Sequence, residues 1–280
     1  YDLLYRDKDY VAEVNYIREL LERYGITGPE LLEFGSGTGK HGRLLVILGY
    51  RVMGIERSAE MVAQALPFPG FACQQGDIRT VQLGRTFNAV LALFHVISYQ
   101  TTNADVQAVF ARAADHLRPG GLFLFDVWYS PAVYAQRPAV RVKRLAGEWV
   151  EITRLAEPEW HPNVNRVDVH YTIFARDTQT GSVHTLSETH PMRHFSLPEL
   201  DLFAAGAGFE RVCAETFLTG EPPSEAGWEP GPSHPAVGPG TRMHRWIDTA
   251  RSGPRHGTPG SGTEATDSAT GRSPDQVCGP

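Results

Sequence analysis

The sequence predicts a doubly wound α/β domain, Rossmann-like and mostly parallel, with an antiparallel sheet inserted after its fifth strand. Three observations carry this. Five short apolar runs alternate with helical stretches between Glu30 and Val127. A glycine-rich turn, LLEFGSGTGKHG at residues 31–42, follows the first run. Beyond residue 139 the apolar positions switch to period two. Parallel strands need crossovers, so runs alternating with helices mean a sheet covered on both faces.

Taken in order, Tyr10, Val14, Ile17, Leu21 and Tyr24 recur at three- and four-residue spacing and give a helix that Gly25 stops. The strands are expected at Leu31–Phe34, Arg51–Ile55, Phe71–Gln74, Phe87–Leu93 and Leu122–Val127, with helices at Lys40–Leu48, Ser58–Leu66 and Asp105–Leu117. Ala139–Ala146, Trp149–Leu155, Val164–Phe174 and Val183–Leu186 read as extended. In the third of these, Val167, Val169, Tyr171 and Ile173 alternate with polar residues, as in a half-buried antiparallel sheet. Ser196–Ala205 reads as a helix with Pro198 in its first turn, and Phe209–Phe217 as a strand returning to the main sheet.

Past Gly220 the composition collapses. Residues 221–240 hold ten Gly or Pro, and 252–280 are mostly Gly, Pro, Ser and Thr. Such a chain cannot offset its ordering entropy, so 229–280 is expected to be a disordered tail. Arg242–Ile247 is the one later segment with apolar content to supply a final strand. The abrupt shift after Trp228 suggests an altered C-terminus. The predicted units are an N-terminal helix and lid over 1–28, an α/β core over 29–136, the antiparallel insertion over 137–195, the rest of the core over 196–228, and the tail.

Bulk properties exclude some classes. The longest apolar stretch, Phe87–Ile97, is too short to cross a bilayer and contains Asn88 and His95. A net charge of −6 argues against a nucleic-acid partner. Three widely spaced cysteines supply neither a disulfide framework nor metal-ligand spacing, which suits a reducing cytoplasm and no metal. Tyr1 is not an initiator Met, so an earlier start to the protein is expected.

The glycine turn admits three readings. A phosphate-binding P-loop, G-x-x-x-x-G-K-[ST], fails because its first glycine falls on Phe34 and its hydroxyl on His41. A dinucleotide fingerprint fits Gly37, Gly39 and Gly42 formally, but the glycine that follows the strand directly is Gly35. The third reading is E-x-G-x-G-x-G, with Glu33, Gly35, Gly37 and Gly39. A carboxylate at the strand end suits a ligand bearing a cationic amine and would repel pyrophosphate. S-adenosylmethionine has that amine. Glu56 ends the second run, where a carboxylate can accept ribose hydroxyls, and Asp77 follows the third, where it can accept an adenine amine. Singly, each acid could equally be a solvated turn or a cap.

With LLEFGSGTGKHG, GIERSAEM, QQGDIR and HLRPGG, the chain resembles the class I S-adenosylmethionine-dependent methyltransferases. YDLLYRDKDY, HPMRHF and FLTGEPPSEAGW extend the resemblance to methyltransferases of sugar and cell-surface glycan pathways, among them nucleotide-aminosugar N-methyltransferases. The resemblance implies cofactor contacts at Tyr5, Glu33, Gly35, Ser36, Gly37, Gly39, Glu56, Arg57, Asp77, Ile78 and Leu93. It implies a small-molecule acceptor such as a nucleotide sugar, and it leaves room for a homodimer.

Candidates for the chemistry lie at the carboxyl ends of the strands. His95 could be a base or a wall residue of the loop, and Tyr5 could close over the centre or pack the first helix. Asp126 and Trp128 could meet a substrate amine and a sugar face. Arg193 could meet a substrate phosphate or carboxylate, or pair with an acid in the inserted sheet. His116 precedes the fifth strand, at the opposite edge, and reads as structural. N-methylation of an aminosugar is the leading reading, with O-methylation of a sugar or natural product beside it. An NAD(P)-dependent oxidoreductase and a non-catalytic cofactor-binding protein are the rivals of other classes.

Overall fold

The computed structural model describes residues 8–225 and the backbone of Thr241–Asp248. Asp9 caps the first helix, α1 (Tyr10–Arg23), by accepting from the Ala12 amide. Alternation then follows: β1 (Glu30–Phe34), α2 (Lys40–Ile47), β2 (Arg51–Glu56), α3 (Ala59–Gln64), β3 (Phe71–Gln75), β4 (Phe87–Ala92), α4 (Asn103–Asp115) and β5 (Leu117–Tyr129). Short α5 (Ser130–Gln136) leads into β6 (Arg141–Ala146), β7 (Val150–His161), β8 (Arg166–Asp177) and β9 (Val183–Phe195). The chain then forms α6 (Leu197–Gly206), β10 (Phe209–Thr216) and β11 (Thr241–Asp248).

β1 to β5 are parallel in the order β3-β2-β1-β4-β5. β11 runs antiparallel between β5 and β10 and completes the core sheet. The insertion is antiparallel in the order β9-β8-β7-β6. It stays continuous with the core, because Trp128 and Tyr129 of β5 pair in parallel with His194 and Phe195 of β9.

Two apolar layers cover the core sheet. Phe110 of α4 meets Phe123, Phe125, Phe203 and Phe209 on one face, at ring separations of 5.4 to 6.4 Å. On the other, α1 lays Val14, Ile17, Leu20 and Leu21 over Leu31, Leu45 and Leu91. Glu215 of β10, 1% exposed, accepts from the Tyr16 hydroxyl and lies 3.5 Å from Arg23, so α1 is tied to the far strand as well.

Several expectations need correction. β5 begins at Leu117, five residues early, because the R-P-G-G segment is itself extended, with Gly120 at φ +76° absorbing an irregular register against β4. Thr241–Asp248 is a strand, so the disordered reading of 229–280 fails there, and the rest of that range lies outside the described residues, as does Trp228. The candidate final strand at Arg242–Ile247 is the one that forms, extended by one residue at each end and paired with both neighbours. Cys73 is a free thiol. His116 is structural as expected, with Nδ1 2.7 Å from the Arg112 carbonyl and Nε2 accepting from the Leu83 amide. Among the described residues no helix is long and apolar enough to cross a membrane.

Phe110 has no exposed surface and four aromatic neighbours. Phe110→Ala should therefore cost about 3–5 kcal/mol, read as a lowered urea midpoint at unchanged slope.

Candidate active site

β1 delivers its last residues into a turn with three left-handed glycines: Gly35, Gly37 and Gly39, at φ +68°, +55° and +76°. The Gly35 and Ser36 amides both donate to the Ile55 carbonyl, which stitches the turn over the end of β2. The three glycines serve different ends. A Cβ on Gly35 would lie 2.4 Å from Val96, and one on Gly39 2.5 Å from the Phe71 ring. Both are required by packing as well as by φ. A Cβ on Gly37 would meet nothing closer than the Met61 sulfur at 4.0 Å, so this glycine alone presents open space to a ligand. Ser36 turns its hydroxyl under the loop, 3.4 Å from the Cys73 sulfur, so its side chain packs the sheet side.

Glu33 is 1% exposed on β1. Burial pushes its carboxyl up to about 8, Lys8 pulls it down in part, and Glu56 raises it further. Its Oε2 has no hydrogen-bond partner among the described residues. A buried carboxylate oxygen left open in this way wants a cation or a donor from outside the fold. The amine of S-adenosylmethionine fits that demand.

Glu56, ending β2, accepts from the Gly37 amide at 2.9 Å and the Ser58 amide at 2.8 Å, so its carboxylate is fixed at the rim of the turn. Asp77, two residues past β3, accepts from the Arg79 amide and is gripped by the Arg79 guanidinium, which also reaches Asp105 at 2.8 Å. The Arg79 hydrogen bond holds its carboxyl below the usual range. Asp77 thus meets a cation of its own chain first. Ile78 is half-buried beside it, Leu93 is buried beyond β4, and Arg57 is exposed.

An ionic chain that the sequence reading did not single out lies over this turn. Lys8 is buried, with Nζ 3.1 Å from Glu13 and 3.7 Å above the Phe94 ring. The same Glu13 oxygen is 2.6 Å from His41 Nε2, and His41 Nδ1 is 3.8 Å from Glu33. The signal available was YDLLYRDKDY, but Lys8 precedes the helix cap and falls outside its apolar periodicity. Tyr5 lies outside the described residues.

The other side of this edge is built from β4 and β5. Phe94 and His95 both have left-handed backbones, φ +66° and +64°. This turn points the His95 amide at Asp126 Oδ1, 2.8 Å away, with His95 Nδ1 3.6 Å from Oδ2. Burial pushes Asp126 up to about 7 and drives His95 down to about 3, Lys8 adding to the second effect. An imidazole so depressed stays neutral at pH 7 and is a poor proton acceptor. That removes the motive for calling His95 a base and leaves it the role of orienting Asp126. Trp128, 1% exposed, sets its indole edge-on to His95 at 6.3 Å, and its Nε1 has no partner among the described residues.

Arg193 is where the site expectation departs most from the structure. Its guanidinium bonds Glu199 at 2.6 Å and Asn103 at 2.7 Å and stacks on Phe195 and Phe203. These bonds join β9, α4 and α6, and the acid it pairs with sits on α6. The structure therefore brings Glu33, Gly37, Glu56, His95, Asp126 and Trp128 to one edge, keeps Asp77 there in an ion pair, and spends Arg193 on the fold.

Residues 31–121 match a family described as a methyltransferase domain. The chain is 32% identical over 212 residues to the dTDP-3-amino-3,4,6-trideoxy-alpha-D-glucopyranose N,N-dimethyltransferase of Streptomyces venezuelae, spanning 74% of this chain and 87% of that one. The sugar N-methyltransferase KedS8 of Streptoalloteichus sp. superposes with a TM-score of 0.70 at 26% identity, over 87% and 91% of the two chains. CalS10, an amino pentose methyltransferase from Micromonospora echinaspora solved with bound S-adenosylmethionine, shares the fold at a TM-score of 0.69 and 24% identity, over 88% and 94%. With Gly37 open, Glu33 unsatisfied and the acids lined along one edge, these likenesses agree with the geometry: the chain belongs to the S-adenosylmethionine-dependent methyltransferases, and S-adenosylmethionine is its cofactor.

Proposed function

We propose that this enzyme methylates the amino group of a nucleotide-linked aminosugar. The observation that carries the reading is Asp126, a buried carboxyl at the catalytic edge, held by the His95 amide and bordered by the Trp128 indole. A buried carboxylate attracts an amine, and the apolar indole offers a surface for a sugar ring. When bound, S-adenosylmethionine supplies a sulfonium methyl open to in-line attack. The protein's part is to hold the acceptor nitrogen about 3 Å from that carbon and keep water out. Glu33 holds the cofactor's amine, Gly37 lets backbone approach it, and Glu56 takes the ribose hydroxyls.

The inner face of the insertion suits the nucleotide part. Buried Arg154 of β7 lies 5.1 Å above the Tyr171 ring, Lys143 is its cross-strand neighbour on β6, and Arg141 is two residues along. Arginine beside lysine is the usual chemistry for a diphosphate. Relatives named as methyltransferases of dTDP-linked aminosugars support the same substrate class.

Offered paired nucleotide sugars with an amine or a hydroxyl at the same carbon, the enzyme should add methyl to the amine alone, as read by mass spectrometry. Methyl gain on the hydroxyl partner alone would overturn the reading in favour of O-methylation. Asp126→Asn should lower kcat/KM for the aminosugar about 30- to 150-fold, the ~2–3 kcal/mol of a hydrogen bond to a charged group, and leave cofactor affinity within about twofold.

Cofactor binding should depend on pH through Glu33. Its carboxyl, at about 8 in the absence of a ligand, must lose a proton before it can face an ammonium. Affinity for S-adenosylhomocysteine should therefore climb from pH 6 towards 8, by at most about tenfold per unit. Titration calorimetry in buffers of different ionisation enthalpy should show the released proton. Glu33→Gln should bind more weakly and with a flat pH dependence; a wild-type profile flat over that range would remove Glu33 from the amine site.

A further inference from the structure

Methylating an amine raises a proton problem that the residues so far described do not solve. An amine on a carbon flanked by electron-withdrawing groups, like a peptide α-amine, titrates at about 8, so most of it arrives as ammonium with no lone pair to attack. His95 is held neutral, and Asp126 is buried and taken up with holding the amine. A second cluster, contributed jointly by the core and the insertion, has the required composition.

Tyr99 lies in the short 3-10 turn Ile97–Tyr99, at the carboxyl end of β4, and is exposed. The preceding residue, Ser98, accepts from the Trp128 amide at 2.9 Å, so this turn is anchored to the acceptor wall. The Tyr99 hydroxyl is 2.7 Å from Nδ1 of His190 on β9, and His190 Nε2 is 3.1 Å from the Glu188 carboxylate. The other groups facing His190 are Tyr171 of β8, edge-on at 5.0 Å, and beyond it Arg154 of β7 over the Tyr171 ring.

The hydrogen-bond chemistry fixes a direction. An ionised Glu188 can only accept, so Nε2 carries the imidazole proton and Nδ1 is bare. Tyr99 must then donate to Nδ1, and a phenol oxygen that donates can still accept. Resting on the aminosugar reading, we propose that Tyr99, His190 and Glu188 form the relay that strips the acceptor ammonium before each methyl transfer. The ammonium N–H bond breaks and its proton joins the Tyr99 oxygen, while the phenolic proton crosses to His190 Nδ1. The electron pair of the broken bond stays on nitrogen as the nucleophile. The imidazolium, steadied by Glu188, gives its proton to water at the half-exposed rim, and the relay is reset. Because the relay spans β9 and the core turn, it exists only when the insertion is docked.

The test is the pH profile of kcat/KM for the aminosugar in Tyr99→Phe and His190→Gln. Tyr99→Phe keeps the ring against His190 and removes only the proton path. Without the relay the enzyme must wait for free amine, a fraction that falls tenfold per unit below about pH 8. Activity relative to wild type should be down about tenfold at pH 7 and about a hundredfold at pH 6, and restored at pH 9, with cofactor affinity and melting temperature unchanged. Glu188→Gln should share the pattern at smaller amplitude. A loss equal at every pH marks a merely structural link and overturns the relay. So does a silent Tyr99→Phe paired with an Asp126→Asn variant that takes over the pH dependence. Methyl gain by the wild type tests the aminosugar reading itself, so the two can fail separately.

Discussion

The charge of Lys8 is the interaction on which the electrostatics of the site depend. Five ionisable groups feel it: Glu13 and Glu33 beside the glycine turn, Asp126 on the acceptor side, and the two histidines, His41 and His95. Burial alone would protonate the carboxyls, and this ammonium works against it at each of them. The same charge adds to burial in lowering both imidazoles. One cation on the segment before α1 therefore sets the balance between donors and acceptors on both sides of the methyl-transfer axis. Its position is over-determined, by Glu13 on one side and the Phe94 ring beneath. A buried cation needs such company, since an unpaired one is expensive.

β5 turns that local balance into an architecture. Along one edge it pairs with β4 and, past the end of β4, with β9 at Trp128 and Tyr129; along the other it pairs with β11 from Leu122 to Trp128. The strand that carries Asp126 and Trp128 is therefore the strand from which the insertion departs. The insertion and the core are mechanically joined over two residues. The aromatic packing of Phe123 and Phe125 on Phe110 holds that strand rigid beneath them. Rigid support matters because in-line transfer tolerates little misplacement.

How much of this was legible in the sequence depended on the range of the physics involved. The alternation of runs and helices, the glycine turn and the acids at strand ends are local patterns, and they located Glu33, Glu56 and Asp126 correctly at one edge. Asp77 was placed well, but its partner was not foreseen, since a contact with Arg79 two residues on depends on turn geometry that spacing does not encode. Arg193 looked available because its partners, Asn103 and Glu199, come from other elements. Lys8 and Glu13 were passed over because a single buried ion pair has no period. β11 was legible only as a candidate at Arg242–Ile247, because its stability comes from two neighbours far away in sequence and not from its own composition.

The turn after β4 shows why the sequence could not have chosen an easier residue. Two successive left-handed positions would ordinarily be glycines, and side chains there cost roughly 1 kcal/mol or more each. Phe94 and His95 occupy them because both faces of the turn are in use. The Phe94 ring is the floor under Lys8, and the His95 ring stands against Trp128 while its amide holds Asp126. Glycines would relax the backbone yet empty both faces, leaving the cation without its floor and the carboxyl beside a cavity. Strain in this turn is thus the counterpart of the charge arrangement above it, and both act on the Asp126 carboxyl.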